Sequence, residues 1–241
     1  MRTVIWFFYF WISLLFLLPK MLLAEKYYKL GEFGKRDEII NKYVVMWANA
    51  LLKLAGVKLN VSGKENIPDG AVLFASNHQG NFDIPILISA LGAKSFISKT
   101  EVQKLPLIRI WMKHMNCIFI QRDNPRQSIA ALVAAAQVIK NGYSVVIFPE
   151  GTRSRGENIG EFKGGAFKIA QKAECRIVPV AISGSYRIME SNKMLIKPAE
   201  IYVNILPPID IKSMNNDEIK SLPDDIKRRI MQSIGEIKIK R

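Results

Sequence analysis

The sequence predicts an α/β fold: a largely parallel or mixed central sheet flanked by helices, preceded by an N-terminal helical membrane anchor. Three observations predict it. From residue 56 onward, short β-rich runs alternate with helix-patterned segments, the order that lays helices over a mostly parallel sheet. The opening residues are almost continuously apolar. Of all 241 residues, 49% are hydrophobic, enough for one sizeable core plus a short appendage. With 15 Gly, 11 Pro and 23% charged residues, the composition excludes a collagenous, low-complexity or wholly disordered chain.

From Val4 to Leu18 the run VIWFFYFWISLLFLL is apolar except for Ser13, and Pro19-Lys20 interrupts it before MLLA resumes. A helix of that length reaches about 22 Å at ~1.5 Å per residue, short of a ~30 Å hydrocarbon core. Shallow insertion into one leaflet of the lipid bilayer therefore reads better than a single span, although adding Met21 to Ala24 leaves a kinked span open. Cleavage as a signal peptide is disfavoured, because Leu22 stands where a small residue is needed. Lys20, Lys26, Lys29, Lys35 and Arg36 follow the run while only Arg2 precedes it, which keeps the body on the cytoplasmic side of the inner membrane. Lys35 to Ala55 reads as a second helix with Ile39, Ile40, Tyr43, Val44, Trp47, Ala50, Leu51 and Leu54 on one side. That face packs on the body of the protein or lies on the bilayer beside the first helix. Residues 1–55 are thus a membrane-associated helical segment and residues 56–241 an α/β domain.

Within that domain VKLNVSG (57–63), AVLFASN (71–77), KSFIS (94–98), NCIFIQ (116–121), YSVVIFPE (143–150), RIVPVAIS (176–183) and EIYVNIL (200–206) read as strands. Ile84 to Leu91, Leu107 to His114, Gln127 to Lys140 and Gly165 to Lys172 have helical patterning between them. Asp217 to Lys240 reads as a basic amphipathic helix packed on the core. Folds of this type place ligands in the loops at strand ends.

Thirty-five Lys plus Arg against 21 Asp plus Glu give a formal charge of +14, so the surface attracts anions. No nucleic-acid-binding motif accompanies the charge, and the chain opens with a membrane-seeking run, so nucleic acid is not an expected partner. Cys117 and Cys175 are too few and too far apart for a disulfide framework or a zinc cluster, and they read as free buried thiols; no metal is expected. Chemistry that needs an imidazole near neutral pH must use His78 or His114, the only two histidines.

One strand runs straight into Asn77-His78-Gln79-Gly80-Asn81-Phe82-Asp83, after which Ile84-Pro85 opens a helix. Asp83 suits a helix cap, or a turn that folds its carboxylate back onto His78 and fixes the imidazole tautomer. A serine nucleophile would need a Gly-x-Ser-x-Gly elbow, and neither Gly142-Tyr143-Ser144 nor Gly184-Ser185-Tyr186 completes one. His78 would then act directly on a hydroxyl of the substrate. A second candidate site is Phe148-Pro149-Glu150-Gly151-Thr152-Arg153-Ser154-Arg155 at another strand end. Gly151 permits close backbone approach, Thr152 and Ser154 supply hydroxyls, and Arg153 offers a planar fork for phosphate oxygens. Lys99 and Arg122 also end strands, and a parallel sheet would bring them to the same edge as His78.

Together these segments resemble the glycerolipid acyltransferase superfamily. His78 through Asp83 looks like its first motif, Phe119-Ile120-Gln121-Arg122 like the second, Phe148 to Ser154 like the third and Ile177-Val178-Pro179-Val180 like the fourth. The blocks occur in the family's order over roughly Lys64 to Pro207, and the first and third resemble the bacterial 1-acylglycerol-3-phosphate acyltransferases most. The resemblance implies acyl transfer from an acyl thioester to the 2-hydroxyl of lysophosphatidic acid, giving phosphatidic acid. The thioester would be carried by coenzyme A or acyl carrier protein as co-substrate, with no cofactor. It implies His78 as general base, Asp83 as its orienting residue, Arg122 and Arg153 on the phosphomonoester, and Lys99 as a third cation. Glu150, Gly151 and Thr152 would shape the glycerol site, with Glu150 either touching substrate or positioning Arg153. Backbone amides near His78 are the expected oxyanion donors. Transfer to another lysophospholipid, or hydrolysis by a membrane-bound enzyme, are the alternatives.

Overall fold

The computed structural model describes residues 1–121, 125–212 and 214–239. One strand forms in each predicted run: β1 (Val57–Ser62), β2 (Leu73–Ser76), β3 (Ser95–Lys99), β4 (Ile118–Ile120), β5 (Val145–Ile147), β6 (Ile177–Ser183) and β7 (Ala199–Ile205). The helices are α1 (Arg2–Phe16), α2 (Leu18–Lys29), α3 (Phe33–Ala55), α4 (Asp83–Leu91), α5 (Pro106–His114), α6 (Pro125–Lys140), α7 (Lys168–Ala173) and α8 (Asn216–Ile239). The helix predicted from Gly165 begins instead as a 3-10 turn over Gly164–Phe167 and turns α-helical only at Lys168. Consecutive glycines are poor helix formers, so the tighter turn takes the first residues.

The seven strands form one mixed sheet in the order β1-β7-β6-β2-β5-β3-β4. The β6–β7 pairing is antiparallel; the β6–β2, β2–β5, β5–β3 and β3–β4 pairings are parallel. The C-terminal ends of β2, β3, β4, β5 and β6 therefore share one edge. Side chains alternate across the sheet as a pleat requires. Phe74, Val146, Val178, Val180 and Ile182 enter a core shared with helices of the N-terminal half, whereas Leu73, Val145, Ile147, Ile177 and Ala181 enter a second core with Ala135, Ile169 and Ile226 of α6, α7 and α8.

The N-terminal helices pack into the first of these cores. Met21 and Ala24 of α2, and Ile40, Val44, Ala48, Leu51, Leu52 and Ala55 of α3, are buried there with Phe82 and Phe96. The indole N–H of Trp6 donates to the Leu51 carbonyl at 2.9 Å, and that of Trp47 donates to Ser13 Oγ at 2.9 Å. Ser13, the one polar interruption of the apolar run, thus satisfies a tryptophan across the α1–α3 contact. Among the described residues no single helix is long and apolar enough to cross a membrane; α1 and α2 pass that test as a pair, but are bent by 45°. Arg36, one of the cations that follow the apolar run, lies inside the fold. It is 2% exposed, its guanidinium faces the rings of Tyr28, Phe33 and Tyr143, and it bonds Asp37 and the Tyr143 hydroxyl. A guanidinium is hydrated weakly enough to be buried on aromatic faces when its donors are met.

Candidate active site

Beyond β2 the chain is held on both flanks, by side chains of the loop toward β6 and by its backbone toward β5. The Asn77 amide continues the sheet ladder, donating to the Ile182 carbonyl at 2.9 Å and accepting the Ile182 N–H at 2.8 Å. Gln79 Oε1 accepts the N–H of Gly184 at 2.9 Å and that of Ser185 at 3.2 Å. These bonds tie the loop to the end of β6. On the β5 side, the His78 N–H donates to Glu150 Oε1 at 2.7 Å and its carbonyl accepts the Ser154 N–H at 2.8 Å. The backbone of His78 is clamped between two neighbouring strand ends.

Its ring is fixed as tightly. Nδ1 lies 2.7 Å from Asp83 Oδ2, and the plane stacks on Phe148 with centroids 3.9 Å apart at 14°. Asp83 is fully buried as the first residue of α4, and its Oδ2 also accepts the N–H groups of Gln79 at 2.6 Å and Gly80 at 2.9 Å. Three donors thus converge on one carboxylate oxygen at a helix N-terminus, where negative charge is favoured. With Nδ1 directed at a carboxylate, the tautomer carries its proton there and leaves Nε2 as the basic nitrogen. Nε2 makes no hydrogen bond among the described residues, and the side chain is 14% exposed.

Both Glu150 carboxylate oxygens are engaged by backbone donors. Oε1 holds the His78 N–H and Oε2 accepts the Gly160 N–H at 2.8 Å, so it braces the loop carrying the base against the segment after Arg155. Burial raises its pKa above the ordinary glutamate range, and the two N–H bonds oppose that shift. Gly151 adopts φ +70°, a left-handed conformation that favours glycine, and an added Cβ would meet Lys163 Nζ at 3.2 Å. Thr152 is exposed beside it. Arg153 Nη1 donates to Asn81 Oδ1 and lies 3.7 Å from Glu190 Oε1.

The site therefore brings together His78, Asp83, Glu150, Gly151 and Arg153. Lys99 ends β3 on the same sheet edge, but β5 stands between β3 and β2, and Lys99 is exposed. Arg122 lies outside the described residues. The expectation of oxyanion donors near His78 is narrowed to amides outside residues 78 to 81. The N–H groups of residues 78 to 81 are all engaged by carboxylates: His78 by Glu150, Gln79 and Gly80 by Asp83, and Asn81 by Glu190 at 2.7 Å. Glu190 was not legible in the sequence. It sits 109 residues from Asn81 in a 3-10 turn (Glu190–Asn192), with no local pattern to mark it. His114 is remote from this cluster, buried beside Glu25 and Tyr28.

An apolar cavity of ≈370 Å³ opens beside the loop, lined by Trp6, Trp47, Phe82, Phe96, Trp111 and Met189 among others, with Asn81 the polar residue next to Arg153. Asn81 Nδ2 in turn lies 3.8 Å from the Met189 sulfur. A base with an open nitrogen, an adjacent guanidinium and an apolar cavity suit a substrate that joins a hydroxyl, an anion and a hydrocarbon chain.

Comparison with known proteins agrees with this arrangement. Residues 58–183 match the family model described as Acyltransferase. The chain is 36% identical over 238 residues to a probable 1-acyl-sn-glycerol-3-phosphate acyltransferase of Mycoplasma pneumoniae, covering 93% of this chain and 89% of that protein. It is 33% identical over 190 residues to the 1-acyl-sn-glycerol-3-phosphate acyltransferase of Borreliella burgdorferi, covering 78% and 76%. The crystal structure of PlsC, the 1-acyl-sn-glycerophosphate (LPA) acyltransferase from Thermotoga maritima, superposes with a TM-score of 0.86 at 25% identity, over 98% of this chain and 95% of that one. A clamped His-Asp pair at the strand edge, a family match over more than half the chain and relatives aligned across most of their length lead to one conclusion: the chain belongs to the acyltransferase family.

Proposed function

We propose that this enzyme transfers an acyl group from an acyl thioester, carried by coenzyme A or acyl carrier protein, to the 2-hydroxyl of 1-acylglycerol-3-phosphate, forming phosphatidic acid. The observation that carries the reading is the placement of His78. Its Nδ1 is held by Asp83 at 2.7 Å, while the loop it occupies meets the guanidinium of Arg153 and the apolar cavity through Asn81. The relatives named for this reaction supply the acceptor class.

His78 Nε2 takes the hydroxyl proton as the oxygen attacks the thioester carbonyl, forming a tetrahedral intermediate. Collapse of that intermediate breaks the C–S bond, and the imidazolium returns the proton to the departing thiolate. Asp83 keeps the ring in the productive tautomer and stabilises the imidazolium. Arg153, joined by Arg122 from the second motif, holds the phosphomonoester, and the cavity accommodates a hydrocarbon chain. Glycerol and thioester thus meet above Nε2 without a covalent enzyme intermediate.

The N-terminal helices support a one-leaflet location at the cytoplasmic membrane, with residues 1–55 as the membrane-facing segment of the domain that follows. α1 exposes Val4, Phe8, Trp11, Leu15 and Phe16, with Phe8 68% and Phe16 80% exposed. Lys26, Lys29 and Lys35 are exposed on and just beyond α2, where anionic headgroups would meet them. Purified protein given lysophosphatidic acid with acyl-coenzyme A, or with acyl carrier protein bearing the same chain, tests the function. Phosphatidic acid is expected only when acceptor and donor are both present. Release of free fatty acid independent of the acceptor would establish a hydrolase instead.

A further inference from the structure

Glu190 belongs to no acyltransferase motif in the sequence, yet it lies against the two loops that make the site. Its carboxylate is 3% exposed. Oε1 accepts the Asn81 N–H at 2.7 Å and stands 3.7 Å from Arg153 Nη1. Oε2 is buried with no hydrogen-bond partner among the described residues and presses on Gly80, where an added Cβ would lie 2.4 Å from it. The carboxylate therefore reaches both sides of the junction between the His78–Asp83 loop and the Arg153 turn.

Arginine carries long, mobile side-chain torsions, and a half-exposed guanidinium left to itself spreads over many rotamers. Here Nη1 is occupied by Asn81 Oδ1 and faced by Glu190, whereas Nε and Nη2 make no hydrogen bond among the described residues. One edge of the fork is anchored to protein and the other is left for an anion. We propose that Glu190 is the positioning residue of the acceptor site, setting the Arg153 guanidinium and the Gly80–Asn81 turn in register so that an acceptor phosphate and the hydroxyl facing His78 are presented together. The proposal rests on the reading that Arg153 holds that phosphate. The negative charge does not cancel the benefit: Glu190 is buried behind Arg153, while the phosphate meets the opposite, solvent-screened edge.

Steady-state kinetics of the full-length enzyme with Glu190→Gln, Arg153→Ala and the double variant test it. Glutamine keeps an oxygen for the Asn81 N–H and puts an uncharged NH₂ in the place of Oε2, which breaks no hydrogen bond among the described residues. The expected result is a rise in the acceptor KM of roughly five- to twentyfold with kcat within about threefold and the donor KM unmoved. On the Arg153→Ala background the same change should add less than about twofold, because Glu190 acts through that arginine. Gly80→Ala gives an independent route. It pushes the Glu190 head aside without altering its charge, and should reproduce the rise in acceptor KM even where Glu190→Gln folds poorly. An acceptor KM within twofold of the parent for Glu190→Gln, while Arg153→Ala raises it, overturns the proposal alone; additive effects in the double variant do the same. An unchanged acceptor KM in Arg153→Ala overturns the phosphate reading and the proposal with it.

Discussion

His78 Nδ1 lies 2.7 Å from Asp83 Oδ2, and the same oxygen receives the N–H groups of Gln79 and Gly80. One carboxylate oxygen orients the base and shapes the loop that carries it. Asp83→Asn should therefore be severe. An asparagine oxygen could take the place of Oδ2, but its NH₂ would then lie buried where Asp83 Oδ1 has no hydrogen-bond partner among the described residues, and the imidazole loses its counter-charge. The expected fall in kcat is about 10²–10⁴, with a smaller change in acceptor KM, and steady-state kinetics decide it. A loss of under tenfold would mean that Asp83 only shapes the loop through the Gln79 and Gly80 N–H groups.

Glu150 gives a prediction about stability. Its two oxygens each accept a buried or half-buried N–H, from His78 and from Gly160. Glu150→Gln removes a charge that burial disfavours, yet it also turns an NH₂ group toward one of those donors. The orphaned donor outweighs the relief, because leaving a buried polar group unmet costs about 1–3 kcal/mol. Urea unfolding should show a loss in that range, accompanied by a lower kcat as the His78 backbone loosens.

Much of this arrangement was legible in the sequence wherever the interaction is local. His78 and Asp83 are five residues apart on one strand-to-helix turn, and Gly151 and Arg153 share a single motif, so residue type and spacing located them. The strands were readable because Leu73, Phe74 and Ala75, or Val145, Val146 and Ile147, are wholly apolar and flanked by turn residues, as strands buried on both faces must be. What stayed hidden is the long-range pairing. Nothing near Glu190 announces that it meets Asn81 and Arg153, and nothing near Arg36 announces that Tyr143, 107 residues on, will help to bury it. Glu150 was found by its motif, but only the fold shows that its oxygens face backbone donors.

His114 should shape the pH dependence of stability rather than of catalysis. It is 1% exposed, and burial pushes its pKa below the usual histidine value, opposed by Glu25, whose Oε2 is 3.1 Å from Nε2. The folded protein thus binds a proton there less readily than the unfolded chain. Its contribution is fully present above about pH 6.5 and is lost as pH falls through the unfolded value toward the lower folded one. Thermal melts of His114→Phe should be flatter than the parent's in that acidic window, with activity at pH 7.5 within about threefold. An equally steep acid dependence would place the sensitive group elsewhere.

The cysteines are expected to be bystanders in the chemistry. Burial pushes the Cys117 thiol up to about 12 and the Cys175 thiol to about 11, so neither is a thiolate near neutral pH. A maleimide at pH 7 should label the folded enzyme slowly and leave kcat intact. Cys117 nonetheless lines the apolar cavity. Cys117→Phe should occupy part of that volume and shift preference toward shorter acyl chains, which competition among thioesters of graded length would read. An unchanged chain-length profile would place the hydrocarbon outside the cavity.

The kcat of His78→Ala for phosphatidic acid formation tests the central claim most directly. Substrates would be saturating and the product quantified by mass spectrometry. If His78 Nε2 removes the acceptor proton, the variant should fold with the parent's melting behaviour, bind lysophosphatidic acid with a similar apparent affinity and turn over roughly 10²–10⁴ times more slowly. Turnover within tenfold of the parent would contradict the account, because a base that can be deleted so cheaply is not the group that moves the proton.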